Sequence, residues 1–260
     1  MNEQTQLREY RVWDRTTRWF HWINVLAVLA LTATGLGILY WKSFGITIPG
    51  RALLKTIHVL IGYVAVINLL WRIVWAFIGS RHSRWSAILP LGSRWVASLK
   101  GYVAAVASGG KPAYVGHTPI GRISITLLLV LLVAMSATGL VLAGTDLFYP
   151  PFGHLFAQWV AAPGVDPASL GPVAIVKASE PHLLNAEALT AVGHFKELYE
   201  LTHYYGFYTL LVLIGLHIAG VVVGELRGGG TLVSAMFTGR KILHRVPQDR
   251  AEADIEHKVD

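Results

Sequence analysis

Cysteine is missing from all 260 residues, and its absence excludes several chemistries. Iron–sulfur clusters are held by thiolates, c-type haem is attached through a C-x-x-C-H run, and disulfides need paired thiols, so this chain alone can build none of them. A redox centre held here takes its ligands from histidine or methionine, and any cluster belongs to a partner. Charge is scarce as well. Only 14% of residues are charged against 53% hydrophobic, too apolar for an ordinary soluble domain.

Four stretches are long enough to cross a hydrocarbon core of ~30 Å: residues 19–40, 57–78, 123–143 and 199–223. Backbone groups facing lipid must bond internally, so these stretches are expected as helices packed into one four-helix bundle spanning residues 1–260. The fold class is all-α, a four-transmembrane-helix bundle. The first apolar run follows Arg8, Arg11, Arg15 and Arg18, exceeds the length of a signal h-region and lacks a small-residue cleavage site, so it is expected to be retained.

The charge that is present leans positive, 22 Lys and Arg against 15 Asp and Glu. Seventeen of those 22 fall in the N-terminal arm, in Arg72 with the 79–122 connection, and in the C-terminal tail. Lys42, Arg51, Lys55, Lys177 and Lys196 make up the rest. The positive-inside rule then puts both termini and the 79–122 loop in the cytoplasm and the 145–197 loop in the periplasm, in a multi-pass protein of the bacterial inner membrane. The net charge of +7 follows from that topology and from anionic headgroups in the lipid bilayer, and no nucleic-acid partner is needed to explain it.

Between the spans, Pro49 and Gly50 mark a short turn. The 79–122 loop carries Trp85 and Trp95, its WVASLKGYVAAVA stretch reads as an interfacial helix, and it ends in GHTPIGR, where Pro119 suits a first helical turn. Residues 1–18 read as a polar arm, and the segment after Gly228–Gly230 as a solvated tail. The 145–197 connection is too long for a turn, and Phe148, Tyr149, Phe152, Phe156 and Trp159 make it a candidate docking platform. TATGL at 32–36 and SATGL at 136–140 form a faint internal echo, of the kind left by a duplicated helix pair or simply by small residues at helix contacts.

Histidine is the informative residue. His203 and His217 stand fourteen residues apart in the fourth span, an advance of about 21 Å through nearly four turns, so both imidazoles leave almost the same face at two depths. His21 enters the first span from the inner side, level with His217. His58 lies near the outer end of the second span, as His203 does in the fourth. Ionisable groups inside a bilayer usually face an interior site, and a haem iron offers two axial positions that facing helices can fill. Depth therefore pairs His21 with His217 and His58 with His203, enough for two haem b groups. Gly35, Gly62 and Gly206 lie near the same levels, where a flat macrocycle can approach the backbone, and Arg15, Arg18 and Arg72 are candidate partners for haem propionates. His154, His182 and His194 are spaced like no known ligand set, while His82, His244 and His257 lie in the loop and the tail.

RWFHW in the first span, IHVLIGYV in the second, GHTPIGR before the third and H-x13-H in the fourth resemble the membrane b-type cytochrome subunits of bacterial nickel–iron hydrogenases, the gamma subunits of formate dehydrogenase and the wider bacterial cytochrome b561-like group. The resemblance covers about residues 8–245 and is weakest over 145–197. It implies the same two histidine pairs, His21/His217 for the cytoplasmic-side haem and His58/His203 for the periplasmic-side one. It also implies a quinone pocket near the inner haem, which makes His117, Thr118 and Arg122 candidate lining residues. The expected function is electron transfer across the membrane between the quinone pool and a periplasmic redox subunit, which is hydrogenase-like, another iron–sulfur enzyme or a c-type cytochrome. Its rivals are a stand-alone quinol-linked enzyme of the superoxide oxidase type and a haem-free transporter or assembly protein.

Overall fold

The computed structural model describes residues 7–228, 231–249 and 255–258. In chain order its elements are β1 (Arg8–Arg11), α1 (Arg15–Leu39), α2 (Ile48–Ile78), α3 (Trp85–Ile88), α4 (Ser93–Ala107), α5 (Pro119–Leu147), α6 (Gly153–Val160), α7 (Val173–Ser179), α8 (Ala186–Gly228), α9 (Leu232–Thr238), β2 (Arg240–Leu243) and β3 (Ile255–Lys258). Four of them, α1, α2, α5 and α8, are long and apolar enough to cross a membrane. Each covers one of the stretches read from hydropathy, to within a residue, and most overrun it. Hydropathy marks only the part suited to hydrocarbon, whereas helical hydrogen bonding continues until a breaker intervenes.

The overrun is largest in α8. Its 43 residues begin well before position 199, because LTAVGHFKELYE is itself a good helical segment and carries no proline. Pro49 and Gly50 fall in the first turn of α2 rather than in the turn before it; proline is tolerated there because the first amides of a helix have no intrahelical partner. Pro119 opens α5 as its position suggested, and the WVASLKGYVAAVA stretch lies within α4, none of whose residues is fully buried.

Two compact units divide the chain. One takes in the chain up to Trp22, Leu70–Val130 and the chain from Leu210; the other is Ile23–Leu69 with Leu131–Thr209. Each long helix has one part in each.

The first unit corrects the all-α expectation. β1 pairs antiparallel with both β2 and β3, giving a small sheet in the order β2-β1-β3, with Tyr10 opposite Lys241 and Glu9 opposite Ile242. Four-residue strands rich in arginine and lysine carry too little alternation to be read as strands, and their pairing is between distant parts of the chain. Tyr10 and Leu243 of the sheet are buried together with Val12, Val115 and Ala235, so the described parts of the N-terminal arm and of the tail contribute to a packed core rather than being wholly solvated.

At the start of α1 the Asp14 carboxylate accepts the Thr17 amide at 2.7 Å, the Ser83 hydroxyl at 2.7 Å and the Trp75 indole at 3.2 Å, together with the Ser80 hydroxyl. It caps the helix and ties that helix start to the end of α2. Burial alone would raise the pKa of Asp14, but the bonds from Ser80, Ser83, Thr17 and Trp75 hold it down to about 2.

In the second unit the long connection has a core of its own. Phe156, Val160, Leu170, Val176, Leu184 and Val192 are buried together, with Phe148 packed against them. Asp146, at the end of α5, is clamped between Lys55 of α2 and Lys196 of α8, the latter at 2.8 Å, and Lys196 also reaches Glu200 at 2.9 Å. A carboxylate bracketed by two ammonium groups satisfies charges that would be costly to bury singly.

Candidate functional site

His58 and His203 face each other in the second unit, their ring centroids 6.3 Å apart and their planes inclined at 72°. Metal–imidazole bonds run at about 2 Å and a ring's own radius adds about 1 Å, so two imidazoles sharing one metal have centroids about 6 Å apart. The observed separation therefore suits one metal ion between them. Among the described residues no group of three or more His, Cys, Asp or Glu side chains converges on a point. A facing pair alone suits a metal that brings its own equatorial ligands, as haem iron does.

The groups that touch the other ring nitrogen of each histidine were not read from the sequence. Thr34 Oγ1 lies 2.8 Å from His58 Nδ1, and Thr138 Oγ1 lies 2.9 Å from His203 Nδ1. These threonines belong to the TATGL and SATGL segments, so the internal echo marks the residues that seat the histidines. A Cβ added at Gly35 would come within 3.5 Å of His58 Cε1, and one at Gly139 within 3.3 Å of His203 Cε1. One turn along from His58, a Cβ at Gly62 would meet nothing within 4 Å, whereas one at Gly206 would run into Met135 Sδ at 2.7 Å. Gly62 thus leaves room beside the imidazole for a flat group, and at Gly206 the flexible Met135 tip takes that place.

His21 and His217 both belong to the first unit and lie within electrostatic reach of each other. The His21 ring meets Trp22 edge-on at 5.1 Å, and its Nδ1 is buried with no hydrogen-bond partner among the described residues. Of the three arginines singled out, Arg15 is exposed. Arg72 is only 5% exposed, donates from Nη1 to the Ser83 carbonyl at 3.0 Å and lies over the Phe20 ring. Arg18 donates from Nη1 to the Phe237 carbonyl, and its Nε is a buried donor with no partner among the described residues.

Also in the first unit, a cavity of about 250 Å³ is lined by His82, Trp95, Tyr114, His117, Arg122 and Asp249, among others. It gathers two of the three residues of GHTPIGR singled out above. His117 stacks at a tilt on Trp13, 4.6 Å between centroids, and its Nδ1 is buried with no hydrogen-bond partner among the described residues. Burial first, and then the nearby charges of Lys241, Arg72, His82 and Arg122, push the pKa of His117 down to about 3. Arg122 donates to the Ser86 carbonyl at 2.6 Å and to the Leu89 carbonyl. Thr118 instead accepts the Gly121 amide at 3.0 Å, capping α5. His82, which the sequence placed only in a basic loop, is buried beside Trp13, and Asp249 accepts the amides of Val115 and Gly116 at 2.7 and 2.8 Å.

The aromatic residues of the long connection divide. Phe156 is in its core with Phe148 against it, while Phe152 and Trp159 are exposed at 37% and 47%. His154, His182 and His194 are exposed as well.

Apolar helices that present facing imidazoles define a helical membrane protein equipped for a planar metal cofactor. Residues 12–239 match the family described as prokaryotic cytochrome b561, and the chain belongs to that family. It is a transmembrane b-type cytochrome of electron transport. Its relatives include a probable Ni/Fe-hydrogenase B-type cytochrome subunit from Rhizobium leguminosarum bv. viciae, 25% identical over 89% of this chain and 88% of the relative. The corresponding protein of Cupriavidus necator is 24% identical over 88% and 85%, and the probable Ni/Fe-hydrogenase 1 B-type cytochrome subunit of Escherichia coli K12 is 28% identical over 60% and 71%. No solved structure matches the chain significantly.

Proposed function

We propose that this cytochrome holds two haem b groups and carries electrons across a bacterial inner membrane between the quinone pool and a periplasmic redox subunit. The observation that carries the reading is the facing pair His58 and His203, whose 6.3 Å separation fits two axial ligands of one iron. His21 and His217 are the ligands of the second haem, with His203 and His217 riding on the single continuous helix α8. When bound, each haem supplies a one-electron carrier. The chain's residues supply the rest: four imidazoles fix the irons, and Arg18 and Arg72 offer guanidinium N–H groups to propionates on the His21 side, with Arg15 at the surface nearby.

Quinone exchange belongs at the cavity beside His117 and Arg122. A neutral imidazole and the indole and phenol of Trp95 and Tyr114 are groups suited to the carbonyls and flat ring of such a molecule. Both termini and the 79–122 loop lie in the cytoplasm in this reading, which follows the distribution of lysine and arginine. The relatives' description as hydrogenase cytochrome subunits favours a hydrogenase-like partner over another iron–sulfur enzyme or a c-type cytochrome. Phe152 and Trp159 of the 145–197 connection give that partner an apolar, aromatic surface.

Isolation in mild detergent tests the assignment. A copurifying iron–sulfur subunit that reduces or oxidises the haems, with a quinol or quinone completing the circuit, is the expected result. A protein that turns over quinol with no partner bound contradicts it.

A further inference from the structure

The seats of His58 and His203 are one device built twice. Thr34 Oγ1 lies 2.8 Å from the Ala30 carbonyl and 3.2 Å from that of Leu31; Thr138 Oγ1 lies 2.8 Å from the Ala134 carbonyl and 3.2 Å from that of Met135. Each hydroxyl hydrogen is thus committed to its own helix backbone. What the oxygen has left is lone pairs, so across the 2.8 and 2.9 Å contacts the imidazole Nδ1–H is the donor. A neutral imidazole with its proton on Nδ1 carries its lone pair on Nε2. A Cβ on the glycine that follows each threonine would meet the ring's Cε1 at 3.5 Å for Gly35 and 3.3 Å for Gly139, so each ring lies close along the threonine's helix and the threonine contact sets its tautomer.

We infer that Thr34 and Thr138 are positioning residues that hold His58 and His203 as Nε2 ligands and lower the reduction potential of the haem those two histidines share. The inference rests on the axial-ligand reading above. An acceptor on Nδ1–H makes Nε2 more basic, which favours the ferric over the ferrous state. His21 differs, because its Nδ1 has no partner among the described residues. The device therefore acts on one haem and leaves the other untouched.

A redox titration of the purified holoprotein, followed by optical spectra, tests this with Thr34→Val and Thr138→Val. The expected result is a positive shift of one haem's potential in each variant, with the other haem unmoved, and haem retention at that site weakened about 10- to 100-fold. Thr209 bonds the Tyr205 carbonyl in the same way at 2.9 Å, so Thr209→Val controls for the backbone bond and is expected to leave both potentials in place. Where a valine variant loses the haem altogether, Thr34→Ser or Thr138→Ser must restore it at its original potential. A two-haem protein whose potentials ignore the valine changes, shifts that strike both haems equally, or serine variants that restore nothing overturn the inference alone. A wild type that binds no haem overturns the axial-ligand reading and this inference with it.

Discussion

The imidazole planes of His58 and His203 are inclined at 72° across a centroid separation of 6.3 Å. Nearly perpendicular axial rings have a spectroscopic consequence. Each ring's π system interacts with a different iron d orbital of the same set, so the two orbitals stay close in energy and the ferric ion is strongly anisotropic. On the proposed assignment, a haem held by His58 and His203 should give a low-spin electron paramagnetic resonance signal with one very large g value. That signal should vanish in His58→Ala and His203→Ala alike. A holoprotein whose low-spin signals are all moderately rhombic would contradict that assignment.

His117 is neutral at physiological pH, since its pKa is lowered to about 3. The sign is set by burial and by cationic neighbours, both of which disfavour the imidazolium, so protonation begins only as the pH falls toward that value. His117→Gln should slow quinol-driven haem reduction roughly tenfold, the cost of about one hydrogen bond, and leave both haem spectra unchanged. Between pH 5 and 8 the rates of variant and wild type should run parallel. A wild-type inflection near pH 6.5 that the variant abolishes would show that His117 titrates during turnover.

Asp146 holds two lysines from different helices, and these are 24% and 25% exposed. Asp146→Asn leaves both ammonium groups without their shared counter-charge and should cost about 3 kcal/mol, toward the lower end for a broken buried pair because the lysines keep some water. Glu200, whose side chain is 50% exposed, should cost under about 1 kcal/mol when changed to Gln. Thermal unfolding in detergent ranks the two; equal losses would mean that the Asp146 clamp contributes no more than a surface pair.

How much was legible in the sequence follows from the reach of each signal. Apolar runs mark membrane segments strongly, so the four long helices were readable to within their ends, and the fourteen-residue spacing of His203 and His217 placed two imidazoles on one helix face. The seats of those histidines were visible only as the TATGL and SATGL echo. Nothing local says that Thr34 meets His58 or that Thr138 meets His203 across 65 residues. The sheet was not legible, because β1 and β2 bring together short basic tetrapeptides from distant parts of the chain. GHTPIGR drew attention to His117 and Arg122, yet their shared cavity also needs Asp249 from the tail, which no motif announces.

The central claim is two haems in two defined histidine pairs, and haem-to-protein stoichiometry by pyridine haemochrome tests it most directly. The ratio should be near two for the wild type and near one for single alanine variants of His21, His58, His203 and His217. The haem that survives should be the same in the His58 and His203 variants, and the other one in the His21 and His217 variants. A wild-type ratio near one or zero, or a survivor that pairs His58 with His217, would contradict it.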